Sequence, residues 1–336
     1  MPQPINQLND VNNIDSEPLI SIVILNYNGL VYLKKTIDSV LKIEYSNYEI
    51  IIVDNGSTDD SVDYIKKFHN IKLIKNKKNL GFSQGKNIGI EHAQGEYILS
   101  IDNDILLNDH QLLNKLLQIY SDDYAFIQVP LLNIDSKITS DYGIYFSWYG
   151  LHWHKNKTNI NNILNYPKEI IDIAGPTGAF MFFSKKVWAI LGGFDQTQLF
   201  HLDDIDIGPR AYLFGYKNIL YTKSFVYNLG AKRSRDSKTY LKFYKYQFSG
   251  HARSIIKNYN IRNLFIRFPI FIAFQILKTF KYVVKYREIR IAFAFFTSNI
   301  TFVRKLKDNL KQRAILQHKR VTKDDVYLKL KPINFQ

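Results

Sequence analysis

The feature that most constrains the fold of this chain is a set of short apolar runs near its start. Residues 19–25, 49–53 and 97–101 are dominated by Ile, Leu and Val, and residues 71–74 form a weaker run. Short β-branched runs without a polar face are typical of strands that are covered on both sides, as in a parallel sheet. The sequence therefore predicts four buried strands.

Stretches with helical spacing lie between and after these runs. Three apolar stripes share this spacing: Leu33, Ile37, Val40 and Leu41; Val62, Ile65 and Phe68; and Leu112, Leu113, Leu116, Leu117 and Tyr120. We interpret all three as core packing, and residues 57–60 offer cap residues in front of the second stripe. Alternating strands and helices predict a doubly wound α/β fold, and residues 179–183 are a candidate for a further buried strand.

The composition supports a substantial core and excludes several kinds of site. Hydrophobic residues make up 46% of the 336 residues, and there are no cysteines. This excludes disulfides, cysteine-ligated zinc and cysteine nucleophiles, and it fits a reducing compartment. The polar segment 1–17 lacks the basic start and the apolar stretch of a signal peptide. We therefore expect a flexible lead at 1–17, an α/β domain at 18–231 and a cytoplasmic location.

The net charge of +15 is concentrated in the last third of the chain. Residues 1–231 carry 20 Lys and Arg against 25 Asp and Glu, whereas residues 232–336 carry 25 against 5. A basic block of this kind attracts polyanions, either nucleic acid or an anionic membrane face. We predict that residues 232–336 form a separate basic, aromatic and helical region.

Two uncharged stretches, residues 268–277 and 291–303, lie in this basic region. Both are shorter than the about 20 apolar residues that a membrane-spanning helix needs. Basic residues at 278–287 accompany many Phe and Tyr residues, which predicts interfacial helices on an anionic leaflet, with Phe271, Phe274 and Phe280 inserted. The alternative is a helical subdomain with a solvated basic face.

Polar, turn-forming residues follow three of the predicted strands, at 26–29, 54–57 and 102–104. Ligands of open parallel sheets bind beyond the carboxyl ends of the strands, so one crevice would collect all three segments. There the Asp54 carboxylate would accept a hydrogen bond from a base or a ribose. Alternatively, Asp54 and Ser57 only form a turn and a helix cap.

The sequence Asp102-Asn103-Asp104, directly after a strand, is a candidate metal site. Two carboxylates in alternation present oxygen ligands to one divalent cation, and Mg²⁺ and Mn²⁺ prefer such hard oxygens. Gly81, Gly85 and Gly89 recur every four residues, which matches neither a dinucleotide fingerprint nor a P-loop. They predict a helix packed closely against a strand, on which Lys86 faces either an anion or solvent.

A second acidic cluster follows the segment Gly192-Gly193-Phe194-Asp195. Asp203, Asp204 and Asp206 fall within four residues, and Arg210 lies one helical turn further. Inside a protein such a cluster needs a cation, an arginine or a raised pKa. On a helix, Asp203 and Asp206 would share a face. The alternative is a solvated first turn that the helix dipole favours.

Together, these segments resemble glycosyltransferase family 2, the inverting enzymes of the GT-A fold, and within it the rhamnosyltransferase-like branch. The resemblance covers residues 19–320 and rests on five motifs in the right order: residues 23–29, 53–59, 79–82, 102–104, and 192–195 with 203–210. It implies a mainly parallel Rossmann-like sheet flanked by helices. Residues 18–110 would be the nucleotide-binding half and residues 111–231 the acceptor-binding half, with the helical region 232–336 after them.

The resemblance also implies roles for individual residues. The residues expected to bind the nucleotide are Tyr27, Asn28, Asp54, Asn55, Lys86, Asp102 and Asn103. Asp102 and Asp104 would hold Mg²⁺ or Mn²⁺, and Asn228 stands where the family commonly has a metal-ligating His. Asp204 lies at the position of the catalytic base, with Asp203 beside it at a position that is more often Glu. The residues expected at the donor or acceptor sugar are Gly178, Asp203 and Arg210.

The activity that the resemblance implies is a direct displacement with inversion, in which the base takes the acceptor proton and the metal neutralises the leaving diphosphate. The donor would be a UDP- or dTDP-sugar. The acceptor would be a glycan or a lipid-linked molecule, at the inner face of the cell membrane.

Two other classes of protein compete with this interpretation. The first is a non-enzymatic, basic nucleic-acid- or membrane-binding protein on an α/β scaffold. No recognition motif for nucleic acid is present and the acidic clusters do not suit a phosphate backbone, so we expect no nucleic-acid partner. The second is a sugar nucleotidyltransferase, which needs a Gly-rich basic loop after the first strand. Residues 26–30 do not supply that loop.

Overall fold

The computed structural model describes residues 17–134, 136–147, 152–154, 157–197, 202, 204–230, 237–332 and 335. In chain order, its elements are β1 (Ile20–Asn26), α1 (Leu30–Val40), β2 (Tyr48–Asp54), α2 (Ser61–Ile65), β3 (Ile71–Lys75), α3 (Phe82–Glu91), β4 (Tyr97–Asp102), β5 (Ile105–Leu107), α4 (Leu112–Gln118), β6 (Tyr124–Gln128), β7 (Leu131–Asn133), β8 (Thr139–Asp141), β9 (Ile144–Phe146), β10 (His152–His154), α5 (Ile160–Leu164), β11 (Ile170–Ile173), β12 (Phe180–Ser184), α6 (Lys185–Leu191), α7 (Asp204–Leu213), β13 (Lys217–Tyr221), β14 (Val226–Asn228), α8 (Ser237–Asn258), α9 (Ile261–Tyr286), α10 (Arg290–Arg304), α11 (Leu306–Lys319) and α12 (Asp325–Leu328). Residues 1–16 of the predicted lead lie outside the described part, and so does the predicted boundary near residue 232. The predicted domain limits stay predictions.

The core of the molecule is an eight-stranded sheet in the order β11-β13-β6-β12-β4-β1-β2-β3. The four predicted strands β1 to β4 are parallel neighbours, with β1 between β2 and β4. Their predicted burial holds for β1, β2 and β4, whereas β3 is the edge strand and is partly exposed. The predicted strand at 179–183 is β12, which runs antiparallel to β4 and to β6. A mainly parallel sheet flanked by helices is therefore confirmed. The direction of β12 does not follow from its sequence, because an apolar run buried on both faces looks the same in either direction.

Two of the three predicted helical stripes pack on this sheet as expected, whereas α2 ends at Ile65 and of the second stripe buries only that residue. α1 buries Leu33, Ile37 and Val40, and α4 buries its apolar face in the same way. The three-glycine pattern gives α3 its close approach to the sheet: a Cβ at Gly85 would lie 2.5 Å from Leu25 Cδ1, and one at Gly89 would lie 2.5 Å from Val23 Cγ1. The predicted close packing of a helix on a strand is confirmed.

Two small sheets accompany the eight-stranded sheet. One has the order β5-β14-β7-β8, and the other pairs β9 with β10. In the first, β14 runs antiparallel to β5, with Asn228 opposite Ile105. This pairing brings the chain near residue 228 next to the Asp102-Asn103-Asp104 turn, more than a hundred residues earlier in the sequence.

Helices α8 to α12 form the described part of the C-terminal region, and α8 packs against α7, α9, α10 and α11. α9 is continuous over 26 residues, and by length and composition it alone among the described helices could cross a membrane. The expectation that no stretch here reaches that length is therefore wrong. The helix continues through Arg267 and Lys278, the charged residues that bound the uncharged run in the sequence.

Candidate active site

Hydrogen bonds join the carboxyl ends of β1, β2 and β4. Asn26, the last residue of β1, is fully buried. Its Nδ2 donates to Asp54 Oδ2 at 3.0 Å, and its Oδ1 accepts from Asn103 Nδ2 at 2.6 Å. Because the strands are parallel and in register, Asn26 lies opposite Asp54 and Leu25 lies opposite Asp102. The three polar segments therefore meet at one edge of the sheet.

The loops after β1 and β2 hold each other through Asn28 and Ser57. The backbone N–H of Asn28 donates to Ser57 Oγ at 2.9 Å, and Asn28 Oδ1 accepts from the N–H of Thr58 at 2.7 Å. Asp54 Oδ1 accepts from the N–H of Ser57 at 2.9 Å. Asp54 and Ser57 thus form a turn, as the alternative interpretation of these two residues predicts. Tyr27, in the loop after β1, is 48% exposed.

The predicted cap residues act on two helices. Asp59, within the segment 57–60, accepts from the backbone N–H of Ser61 at the start of α2, at 3.2 Å. Its other oxygen accepts from the N–H of Leu30 at the start of α1, at 3.1 Å. A single carboxylate therefore satisfies one N–H of each helix, which ties the starts of α1 and α2 together below the crevice.

The side chain of Asn55 is hydrogen-bonded to the loop that precedes α3. Its Nδ2 donates to Asn79 Oδ1 and to the carbonyl oxygen of Gly81, at 3.1 and 3.0 Å. Its Oδ1 accepts from Asn76 Nδ2 and from the N–H of Leu80, both at 3.1 Å. Since the side chain is buried and makes four internal hydrogen bonds, we assign Asn55 to the construction of the loop and not to ligand contact.

Lys86 is the charge partner of Asp102. Its Nζ is fully buried, 3.1 Å from Asp102 Oδ1 and 2.5 Å from the carbonyl oxygen of Ile101. Burial lowers the pKa of Lys86, and the carboxylates of Asp102 and Asp104 oppose that shift. The sequence predicts that Lys86 faces either an anion or solvent. In the structure it faces an anion, the Asp102 carboxylate of the protein itself. Lys86 therefore fixes Asp102 from the side of α3, which replaces the expected contact with a nucleotide.

Asp104 lies where β5 meets β14. The N–H of Leu229 donates to the Asp104 carbonyl oxygen at 2.9 Å. A Cβ at Gly230 would lie 2.1 Å from Asp104 Oδ2, so a glycine is needed here for the carboxylate to keep its place. Asn228 is adjacent, as expected of a third ligand, but its Oδ1 accepts from the N–H of Gly230 at 3.1 Å.

The donor set at this turn suits a metal that is bound largely through phosphate. Among the described residues, no group of three or more His, Asp or Glu side chains could hold a metal ion. The turn offers two carboxylates, Asp102 and Asp104, and the amide oxygen of Asn228. Mg²⁺ is commonly held by one or two carboxylates, with substrate phosphates and water in the other positions. The residues present fit that pattern and not an all-protein cage.

In the second acidic cluster, Asp206 and Arg210 form a buried ion pair on α7. Arg210 Nη1 also donates to the carbonyl oxygens of Leu191 and Gly193, at 2.8 and 2.7 Å. Burial would raise the pKa of Asp206, but Arg210 and Lys257 outweigh it and hold that pKa below its usual value. Of the three expected alternatives, a cation, an arginine or a raised pKa, the structure shows the cations Arg210 and Lys257 and a lowered pKa of Asp206. The guanidinium of Arg210 is occupied within the protein, so the structure does not support its predicted contact with a sugar.

Asp204 is the first residue of α7 and is half-buried. A carboxylate at this end of a helix is favoured by the helix dipole. Asp203, its predicted neighbour in the site, lies outside the described residues. A Cβ at Gly178 would lie 2.9 Å from the ring of Phe82, so close packing explains this glycine, and its role at a sugar stays a prediction.

Two contributors to the site are not evident from the sequence pattern. Asn26 carries the hydrogen bonds between three strand ends, and Lys257 on α8 contacts the carboxylate of Asp206 at 2.9 Å. A polar residue at the end of an apolar run is a signal for the first. A signal for Lys257 is the acidic cluster itself, because the cation that it requires can come from the basic region 232–336.

The comparison with known sequences agrees with this geometry. The family profile described as glycosyl transferase family 2 matches residues 21–189. The chain is 32% identical over 151 residues to the glycosyltransferase GlyG of Streptococcus pneumoniae, covering 44% of this chain and 49% of the relative. It is 37% identical over 137 residues to a glycosyltransferase of Haemophilus influenzae, covering 36% of this chain and 55% of the relative. The chain thus spans about half the length of these curated relatives.

Solved structures agree with the fold at low sequence identity. The mannosyltransferase PcManGT from Pyrobaculum calidifontis, in complex with GDP-Man and Mn²⁺, matches with a TM-score of 0.52 at 15% identity, covering 90% of this chain and 80% of its own. GalNAc-T7 with UDP, GalNAc and Mn²⁺ matches with a TM-score of 0.55 at 18% identity, covering 72% and 48%. None of these relatives confirms the rhamnosyltransferase-like branch. The family profile covers half of the chain, and the chain belongs to glycosyl transferase family 2 and has the GT-A fold.

Proposed function

We propose that this protein is an inverting, metal-assisted glycosyltransferase that moves a sugar from a UDP- or dTDP-sugar to a hydroxyl of a glycan or a lipid-linked acceptor. The observation that carries the proposal is the meeting of Asp54, Asn103 and the Asp102–Asp104 carboxylates at one sheet edge, joined through Asn26. Two structures of similar fold are complexes with Mn²⁺ and a nucleotide or nucleotide sugar. A relative that is 36% identical over 93 residues is a poly-β-1,6-N-acetyl-D-glucosamine synthase of Staphylococcus epidermidis, which supports a glycan acceptor.

The nucleoside would bind at the ends of β1 and β2. Tyr27 offers a half-exposed ring there, and Asn28 and Asp54 are held in fixed orientations by Ser57 and Thr58. Fixed polar groups beside an exposed aromatic ring suit the recognition of a base and a ribose. Asn103 would lie beside them through its bond to Asn26.

Asp102 and Asp104 would hold Mg²⁺ or Mn²⁺ on the donor diphosphate. When bound, the metal neutralises the charge that develops on the diphosphate leaving group. Lys86 keeps Asp102 oriented, because its Nζ lies 3.1 Å from that carboxylate in a buried site. Asn228 would contribute at most the oxygen that it now shares with the N–H of Gly230.

Asp204 would act as the general base. The acceptor oxygen attacks the anomeric carbon while the bond from that carbon to the diphosphate oxygen breaks, and the acceptor proton moves to the Asp204 carboxylate. Attack from the side opposite the leaving group inverts the anomeric configuration. The position of Asp204 at the start of α7 supports this role, since the helix dipole favours its ionised form.

The test is the variant Asp204→Asn in a screen of nucleotide-sugar donors with glycan and lipid-linked acceptors. We expect donor binding to be kept and transfer to fall by about 10²–10⁴-fold, because an amide cannot take the proton. Asp122→Asn, an exposed substitution in the turn before β6, serves as the control. Normal turnover by Asp204→Asn would move the base elsewhere, with Asp203 the next residue to test.

We further propose that the enzyme docks on an anionic membrane face through α9 and α10. The outward residues of these helices are largely apolar, and those more than 60% exposed include Phe265, Leu277, Phe280, Phe293 and Phe296. The inward faces carry polar side chains, among them Gln275, Thr279 and Ser298, which are buried. A helix that buries polar groups and exposes aromatic ones is suited to an apolar environment on its outer side.

Charge and packing favour lipid as the occupant of this surface. Exposed basic residues border it, and they include Arg262, Lys281, Lys285, Arg290 and Arg304. A second copy would bring another region of net charge +20 against the first, whereas an anionic leaflet is complementary. One face of α9 packs on α8, where Phe271 stacks on Phe248 with ring centres 5.6 Å apart. This supports a helix that lies on the bilayer and not one surrounded by it.

A further inference from the structure

Helix α8 contacts the chain on both sides of Asp204. Before it, the buried Leu202 packs on Gly250, where a Cβ would lie 2.1 Å from Leu202 Cδ1. After it, Ser254 Oγ donates to the carbonyl oxygen of Ile205 at 3.0 Å. Residues 250, 254 and 257 are four and three positions apart, so they lie on one face of the helix.

Lys257 extends these contacts to two carboxylates. Its Nζ lies 2.9 Å from the carboxylate of Asp206 and 2.6 Å from Asp195 Oδ2. Asp195 precedes Asp204 in the chain and Asp206 follows it. A single buried ammonium therefore ties together two points that flank Asp204.

Arg253 anchors the same network to α11. Its Nε donates to Asp195 Oδ2 at 2.7 Å, and its Nη1 donates to Asp308 Oδ2 at 2.8 Å and also contacts Asn309 Oδ1. With Arg210 and Lys257, the network pairs three cations with the carboxylates of Asp195, Asp206 and Asp308. Burial would raise the pKa of Asp195, but Lys257 and Arg253 hold it well below its usual range. Both flanking carboxylates thus stay ionised and fixed.

We propose that the Gly250, Ser254 and Lys257 face of α8 positions Asp204 for proton transfer, so that the C-terminal region belongs to the catalytic unit. The inference rests on the proposed role of Asp204 as the base. Because α7 begins at Asp204, any shift of its first turn moves that carboxylate. A general base must lie within hydrogen-bond reach of the proton that it takes, and displacement by about 1 Å costs about 100-fold in rate. Lys257 and Ser254 are therefore positioning residues.

Arg313 provides a matched control for simple packing. It also holds α8, through bonds from Nη1 to the carbonyl oxygens of Ile256 and Tyr259 at 2.5 and 2.6 Å. These bonds are on the side of α11 and involve no residue between 195 and 206. Arg313→Met should lower the melting temperature and leave the rate of transfer by the folded enzyme unchanged.

The test compares Lys257→Met, Lys257→Arg, Ser254→Ala and Arg313→Met in the full chain, with kcat, the KM for each substrate and donor affinity measured. We expect Lys257→Met to lower kcat by about 10–100-fold with donor affinity unchanged, since the donor site lies at the strand ends. Lys257→Arg should restore part of the loss, and Ser254→Ala should lower kcat by several-fold.

A wild-type kcat in both Lys257→Met and Ser254→Ala, with melting temperatures lowered as in Arg313→Met, would overturn the inference. If Lys257→Met does not fold, Ser254→Ala decides, because it removes only one atom from the α8 face. Asp204→Asn in the same assay separates the two proposals. Normal transfer by Asp204→Asn removes the base assignment, whereas an inactive Asp204→Asn beside fully active α8 variants removes only the positioning role.

Discussion

The strand-end crevice and the α9–α10 pair place their polar groups in opposite positions relative to the surface. At the crevice, apolar strands end in buried polar residues such as Asn26 and Asp54, whose hydrogen bonds are made within the fold. In the helical pair, polar residues such as Gln275 and Ser298 are buried on the inner side, whereas Phe280 on the outer side is 69% exposed. The first region presents a polar surface over an apolar core, and the second presents an apolar surface over a partly polar one.

The contrast agrees with the proposal that one chain meets two environments, water at the crevice and lipid at the helical pair. A buried polar group is tolerated where it has a partner, as Ser298 has when its Oγ accepts from the N–H of Ser249 at 3.0 Å. A large contiguous patch of exposed aromatic and aliphatic side chains marks a surface that a partner or a membrane covers. In the proposals made here the basic C-terminal region is divided: α8 positions Asp204, and the outer faces of α9 and α10 meet an apolar layer.

The sharpest test of this division compares two phenylalanines on the same helix. Phe271 is fully buried against Phe248, whereas Phe280 is exposed. Phe271→Ala should lower the free energy of unfolding by about 3–5 kcal/mol, as expected for a large buried side chain. Phe280→Ala should change it by less than about 0.5 kcal/mol. Urea unfolding of both variants checks this, and equal losses would remove the distinction between the two faces.

A smaller effect is expected at the membrane. Phe280→Ser should weaken sedimentation with anionic liposomes by several-fold, since full burial of a Phe side chain contributes about 1.5–3 kcal/mol and an interfacial ring is only partly buried. High salt should weaken binding separately, because attraction to anionic lipid is about 1 kcal/mol for each basic residue near the surface. Neutral liposomes are the control. A protein that ignores both kinds of liposome would make α9 and α10 an ordinary helical subdomain.

The sequence predicts well those elements in which the hydrophobic pattern and the burial agree along the whole element. β1, β2 and β4 are uniform apolar runs, and the apolar residues of α1 recur at one spacing, so local pattern and burial coincide. The sequence also predicts that the polar segments after these strands lie at one edge of the sheet. Parallel register alone brings their carboxyl ends together.

The sequence predicts poorly what depends on partners that are distant in the chain. Phe271, Phe274 and Phe280 look alike in an apolar stretch, yet Phe271 belongs to the core, so the expectation that it inserts into lipid is wrong. Lys257 looks like one of many basic residues in a surface block, yet its ammonium neutralises Asp195 and Asp206. Lys86 and Asn55 are likewise turned inward by contacts that no local pattern specifies.

The measurement that tests the central claim most directly is calorimetric titration with UDP, dTDP and GDP, in the presence and absence of Mn²⁺. Asp104→Ala is the cleanest variant, because Asp102→Ala would also leave the buried Lys86 without its charge partner. We expect one nucleotide to bind the wild-type protein in a Mn²⁺-dependent manner and Asp104→Ala to lose about 100-fold in affinity or more, with the melting temperature kept. Binding that needs no metal, or equal affinity in the wild-type protein and both variants, would contradict the account.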